Sequence, residues 1–228
     1  MKKLNFIGIG GATNVDLGEN CCYLKEKDKL LIIDVCGDAT KKLRDKGAFD
    51  GIKDIYIIIT HTHFDHVSGL GVLIWYSNIY LKIIPKIIYN DESYKQTLTK
   101  LLDITGVGVD TKRYEFVHES TLKFSFTVNM QPTTHVPYLK CFGIMFEDKE
   151  GKYYYTGDTN DFNYLKKLSD DPKVKLIYSE VEIESFGVHM GYDSILKLDK
   201  NKLILMHFGS VDIYKKAIKD GFNVASVD

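Results

Sequence analysis

The stretch ITHTHFDHVSGL, 59–70, places three histidines and an aspartate within six consecutive positions: His61, His63, Asp65 and His66. Imidazole is neutral or partly charged near neutral pH, so crowding three rings beside one carboxylate adds little stability by itself. Imidazole nitrogen and carboxylate oxygen do form a donor set for Zn²⁺, and equally for Fe, Mn or Co. His61 and His63 lie two apart just past an apolar run, DIYIIIT. In extended backbone residues i and i+2 face the same way, so both rings can reach one cation. Asp65 and His66 follow in a turn and can point to a neighbouring position. Four ligands from one loop rarely complete a two-metal site, so further donors are expected at other strand ends.

Three residues meet that expectation. His135 sits in QPTTHVPY, Asp158 closes YYYTGD, and His207 closes KLILMHF. Each is polar at the C-terminal end of an apolar run, where α/β sheets tend to carry ligands. Taken singly, His207 and still more His135 read more simply as hydrogen-bonded histidines, and Asp158 in TGDT could be a turn residue or a helix cap. The 61–66 cluster changes that balance, because such a run has no structural motive of its own.

The elements that must position these residues alternate between strands and helices. Strands are expected at 4–9, 22–24, 29–35, 54–60, 82–90 (with Pro85 at a bulge or edge), 142–148, 152–158, 174–180 and 202–208. Further alternating strands are expected within 114–132, notably LKFSFTVNM, and 142–148 with 152–158 reads as a hairpin. Helices are expected at 38–46 (capped by Asp38), 68–76, 92–102, 163–168, 193–198 and 211–220. This rhythm gives an α/β fold with the strand C-termini on one side. No linker, low-complexity tract or internal repeat is evident, and 1–228 reads as a single domain.

Composition excludes several classes. The 228 residues are 44% hydrophobic and 27% charged, with a formal net charge of −1. No broad basic field exists to draw in nucleic acid. The opening MKKLNFIGIGG breaks at Gly8, Gly10 and Gly11 and reads as a first strand rather than a signal peptide. No apolar stretch reaches membrane-spanning length. The four cysteines, Cys21, Cys22, Cys36 and Cys141, lack CxxC spacing and read as free buried thiols in a reducing cytoplasm.

THTHFDH resembles the HxHxDH signature of the metallo-β-lactamase superfamily, and His135, Asp158 and His207 take the places of its remaining ligands in chain order. The resemblance covers essentially the whole chain, from FIGIGG through IDVCGD to the strand ending at His207. It implies a four-layer αββα sandwich with a dinuclear centre, most simply Zn²⁺ with Mn²⁺ or Fe as alternatives. Carried across, His61, His63 and His135 would bind one metal and Asp65, His66 and His207 the second, with Asp158 between them. Asp34 would support the histidines from behind, or serve only as a strand-end residue.

Details narrow the branch. Metallo-β-lactamases proper are exported and usually carry Cys or Ser where this chain has Asp158. Glyoxalase II enzymes add a C-terminal helical domain for which too few residues follow His207. The segment YSEVEIESFGVHMGYDSILKL resembles the part of tRNase Z and its relatives where a glutamate supports a histidine near the leaving group. His189 would be that histidine, with Glu180, Glu182 or Glu184 behind it. The family usually has a hydroxyl residue two positions on, where this chain has Gly191; a surface loop histidine is an equal alternative. Asp65, His189 and Glu180 are thus the candidate catalytic residues. FIGIGGATN also resembles the glycine-rich opening of that branch.

No long Gly/Pro-rich arm for clamping tRNA is evident, so a large nucleic acid substrate is not expected and a small phosphodiester is favoured. The resemblance then points to compact cyclic-nucleotide phosphodiesterases of the anti-Pycsar type. Tyr138, Phe162, Phe186 and Tyr192 lie in loops near these motifs and could stack a base, or simply pack. His118 has no evident partner and reads as structural. The stretch 73–80 could form a homodimer interface or the buried face of a core helix. Two other readings stay open. The same site could hydrolyse a thioester or lactone or act as a tRNase Z-like endoribonuclease, or the protein could bind metal and nucleotide without turnover.

Overall fold

The computed structural model describes residues 3–108 and 112–227. The first residues of the opening MKK run lie outside that span. Two six-stranded sheets carry the chain. The first is ordered β1 (Asn5–Gly8), β2 (Cys21–Glu26), β3 (Lys29–Ile33), β4 (Asp54–Ile58), β5 (Lys86–Tyr89), β6 (Glu115–His118). The second mirrors it: β7 (Thr127–Thr133), β8 (Cys141–Asp148), β9 (Gly151–Tyr155), β10 (Val174–Val181), β11 (Leu203–Phe208), β12 (Asn223–Val224). In each sheet the first three strands are antiparallel and the rest add in parallel. The sequence shows no internal repeat, yet one topology is used twice. Strand order is set by which faces are apolar and where the crossovers fall, and neither requires shared residues.

The helices are the crossovers that parallel strands need. They are α1 (Ala39–Asp45), α2 (Phe64–Val67), α3 (Leu70–Tyr76), α4 (Glu92–Ile104), α5 (Phe162–Asp170), α6 (Tyr192–Ile195) and α7 (Val211–Lys219). One apolar core runs through both sheets. Phe6 of β1 packs on Tyr178 of β10, and Asn20 donates to the Tyr155 hydroxyl across the sandwich. β4 reads DIYII because its inner residues Ile55, Ile57 and Ile58 are fully buried, as suits a parallel strand covered on both faces.

Several boundaries differ from expectation for local reasons. The helix expected at 68–76 is broken at Gly69, whose N–H donates to Val35 O at 2.9 Å. A Cβ at Gly69 would stand 2.0 Å from Cys36 O, so the chain must turn there without a side chain. Asp38 precedes α1 but its side chain does not cap it; the carboxylate instead pairs with Lys42 at 3.0 Å. Pro85 lies just outside β5 rather than within it. LKFSFTVNM becomes strand only from Thr127, and β9 stops at Tyr155, two residues before Gly157 turns with φ 57°. His118, without an evident partner in the sequence, accepts from Ser120 N and contacts its hydroxyl at 2.8 Å, closing a local turn. Over 73–80 the chain divides its faces: Leu73, Ile74 and Ser77 are buried, while Trp75, Ile79 and Tyr80 reach solvent. The four cysteines are free and buried. Among the described residues no helix is long and apolar enough to cross a membrane.

Candidate metal centre

All seven residues expected to hold metal converge where the strand ends of the two sheets meet. β4 delivers His61 into the core, fully buried, and α2 follows at once with Asp65 and His66, also buried. β7 leads to His135, β9 to Asp158, and β11 carries His207. The second sheet reaches across through Phe142 N–H, which donates to Thr60 O at 3.0 Å.

The donors fall into two adjoining groups. In the first, His61 Nε2 lies 3.0 Å from His63 Nδ1, and His63 Nδ1 lies 3.3 Å from His135 Nε2. In the second, Asp65 Oδ2 lies 3.1 Å from His66 Nε2 and 3.2 Å from His207 Nε2. Asp158 faces both. Its Oδ2 is 3.9 Å from His61 Nε2 and 3.8 Å from His135 Nε2, while its Oδ1 is 3.4 Å from both His66 Nε2 and His207 Nε2. The donor atoms within each group lie within 4.8 Å of one another.

These donors suit divalent cations. Asp158 Oδ1 and His66 Nε2 are buried without a hydrogen-bond partner; His66 Nε2 is close to Asp65 but not aligned for a bond. Buried polar atoms left unpaired are costly, and five imidazoles with two carboxylates aimed inward are the N/O set that Zn²⁺, Mn²⁺ or Fe accept.

Supporting contacts fix which ring atom two of the histidines offer. Asp34 accepts from His66 Nδ1 at 2.8 Å and from Thr60 N–H at 2.7 Å and its hydroxyl. His66 therefore presents Nε2. His135 Nδ1 donates to Val188 O at 2.7 Å and likewise presents Nε2. Two of the site residues are strained: Asp34 has φ 59° and His207 φ 48°, the left-handed region that side chains with a Cβ rarely occupy. At His207 the β10–β11 register skips a residue, pairing Glu180 with Met206 and Val181 with Phe208. This bulge turns the His207 ring into the site. A Cβ at Gly11 would lie 3.2 Å from that ring, a tight approach that would press on it. Asn14 Nδ2 donates to Phe208 O at 2.8 Å, which pins the strand just beyond His207.

The electrostatics follow burial and charge. Burial, then the neighbouring His66, holds His61 well below the ordinary imidazole range; burial also lowers His63 and His135. Burial opposes the Asp65 carboxylate, but the His207 and His66 imidazoles beside it outweigh it and keep its pKa far below normal. Burial likewise opposes charge on His66 and His207; Asp158 outweighs it for both, raising His66 and pushing His207 up to about 9.

Beside the two groups lies a second carboxylate–imidazole pair. His189 Nδ1 is 2.7 Å from Glu180 Oε2 and 4.0 Å from Asp158 Oδ2. Glu180 is fully buried; burial and then Asp158 raise it to about 7, with His189 pulling the other way. Its Oε1 accepts from Thr159 N–H. His189 also lies close enough to Asp158 and His207 to form a third potential donor group, but Glu180 occupies its Nδ1. Of the three glutamates open in the sequence, only Glu180 meets His189. The Glu182 carboxylate lies against Gly209, and Glu184 is exposed. Tyr192 is not available to stack a base: it is buried at the start of α6 with its hydroxyl donating to Asp220. Phe162 is half-buried at the start of α5, whereas Tyr138 and Phe186 are exposed. Thr60, Asn14 and Asn160, which hold the site together, went unmarked in the sequence, because polar residues in loops carry no signal of their own until the fold pairs them.

Comparison with known proteins accords with this geometry. A family model described as "Anti-Pycsar protein Apyc1" matches residues 2–224. The Anti-Pycsar protein Apyc1 of Bacillus phage 010DV004 is 24% identical over 94% of this chain and 93% of its own length. Among solved structures, the metallo-β-lactamase fold protein YhfI from Bacillus subtilis superposes with a TM-score of 0.72 at 19% identity, over 98% of this chain and 96% of that one. The short form of human tRNase Z superposes with a TM-score of 0.66 at 16% identity, over 98% and 95%. The α/β sandwich expected from the sequence is the metallo-β-lactamase fold.

Proposed function

We propose, from the premise that this chain belongs to the anti-Pycsar Apyc1 family and is a metal-dependent hydrolase, that it cleaves a small phosphodiester, in particular a cyclic nucleotide, at a dinuclear centre. His61, His63 and His135 would hold one ion, Asp65, His66 and His207 the other, and Asp158 would serve both. Divalent ions there, Zn²⁺ in the first instance, would polarise the phosphoryl oxygens and make water nucleophilic at neutral pH.

The chain's own residues supply orientation and a proton. Asp34 and Val188 O hold His66 and His135 by Nδ1, so each offers Nε2 inward. The bulge in β11 turns His207 toward the centre, where its Nε2 lies beside Asp65 Oδ2. Glu180 takes the Nδ1 side of His189, which leaves Nε2 to give its proton to the departing sugar oxygen as the P–O bond breaks. That placement carries the reading: a partly exposed imidazole, backed by a buried carboxylate, stands directly beside both donor groups. The net charge of −1 favours a small substrate over a folded RNA. Cytoplasmic residence is part of the same proposal and suits four unpaired thiols.

The test is a substrate panel with measured metal content: cyclic mononucleotides, a generic phosphodiester and a lactoylglutathione-type thioester. The expected result is a linear nucleoside monophosphate from the cyclic one, abolished by a chelator, with negligible thioester turnover. Thioester hydrolysis alone would replace this reading with carbonyl-ester chemistry. No turnover by fully metal-loaded protein would make it a binding protein.

A further inference from the structure

Three loops meet beside His189, and Asn160 ties them together. It lies two residues past Asp158, and its N–H donates to Thr134 O at 2.8 Å. Its side chain works in two directions: Oδ1 accepts from the Thr134 hydroxyl, and Nδ2 donates to Gly187 O. Thr134 directly precedes His135, and Gly187 stands two residues before His189.

The segment that Asn160 grips is a tight turn. Val188 and His189 N–H both donate to Ser185 O, at 3.0 and 2.8 Å. Phe186 and Gly187 both have positive φ, 48° and 75°. For a phenylalanine this conformation is strained, and strain of that sort persists only where surrounding contacts impose it. Phe186 is itself largely exposed, so packing of its ring does not impose it. Contacts from outside the turn fall on three of its carbonyls, Asn160 on Gly187 O, His135 on Val188 O and Glu182 N–H on Met190 O, and Glu180 meets the His189 ring.

We propose that Asn160 is a positioning residue: its amide clamps the 185–190 turn to the loop after β7, and so holds the His189 ring against Glu180 and beside Asp158. This rests on the role proposed above for His189. An amide suits this place, since its oxygen accepts from Thr134 while its nitrogen donates to Gly187 O.

The test uses Asn160→Ala and Asn160→Asp in the full-length, metal-loaded protein. The aspartate keeps the acceptor for Thr134 but faces Gly187 O with no donor. Both variants are expected to retain their metal and to lose about 10- to 100-fold in kcat on an alkyl phosphodiester, with KM changed far less. On an aryl phosphodiester, whose leaving group departs without a proton, the loss should largely disappear. In a His189→Ala background Asn160→Ala should have no further effect, because the ring it positions is gone. The proposal is overturned if Asn160→Asp matches the unaltered protein, or if Asn160→Ala costs the same factor with His189 absent or on the aryl ester. If His189→Ala alone is fully active on the alkyl ester, the leaving-group assignment fails first and takes this one with it.

Discussion

Two carboxylate–imidazole pairs of nearly equal length stand within this site. Asp34 meets His66 at 2.8 Å and Glu180 meets His189 at 2.7 Å. Their surroundings separate them. Both side chains of the first pair are fully buried, and Asp34 is also held by Thr60; in the second, His189 keeps 21% of its side chain exposed. Asp34 lies behind a ring whose free nitrogen faces Asp65 and Asp158, whereas Glu180 lies behind a ring that opens to solvent beside them. On the function proposed above, the same contact fixes a ligand when sealed and presents a proton donor when one edge is left open. Distance alone would not distinguish the two.

Substitutions should separate the pairs in order of effect. Asp34→Ala removes the acceptor for His66 Nδ1, Thr60 N–H and the Thr60 hydroxyl at once. Urea denaturation should show a loss of about 3 kcal/mol, with reduced metal per chain; a stable, fully loaded variant would mean that Asp34 does not hold the ligand. His189→Ala should leave stability and metal content nearly unchanged while lowering kcat on an alkyl phosphodiester by about 10²- to 10⁴-fold. If it instead empties the site, His189 belongs with the ligands and the contrast collapses. Glu180→Gln is the mildest change. It keeps an oxygen for Thr159 N–H and should cost about 10- to 100-fold in kcat with metal retained. A loss as large as that of His189→Ala would make Glu180 more than a support.

The sequence made the first half of the site plain and the second half only as a set. His61, His63, Asp65 and His66 sit in one run, so their purpose shows without any fold. His135, Asp158 and His207 are each unremarkable where they stand, and they acquire meaning from the cluster and from their strand ends. The choice among Glu180, Glu182 and Glu184 was not legible, because their even spacing gives no parity to choose by; it depends on β10 ending at Val181, which leaves only Glu180 on the strand. Where a strand stops is a property of two strands together. Tyr192 misled for a similar reason: tyrosines look alike in sequence, and only the packing of α6 decides that this one is buried. The paired topology of the sheets left no repeat in the residues, since apolar strands of many compositions build the same layers.

Asp158 has a further consequence. With Oδ2 turned to His61 and His135 and Oδ1 turned to His66 and His207, the carboxylate cannot rotate to serve one side without deserting the other. On the two-ion reading, filling either position arrests that side chain in the orientation its neighbour requires. The affinities of the two positions are then linked, and by thermodynamic necessity each changes the other by the same factor. Titration with metal should accordingly depart from the curve that two independent sites would give.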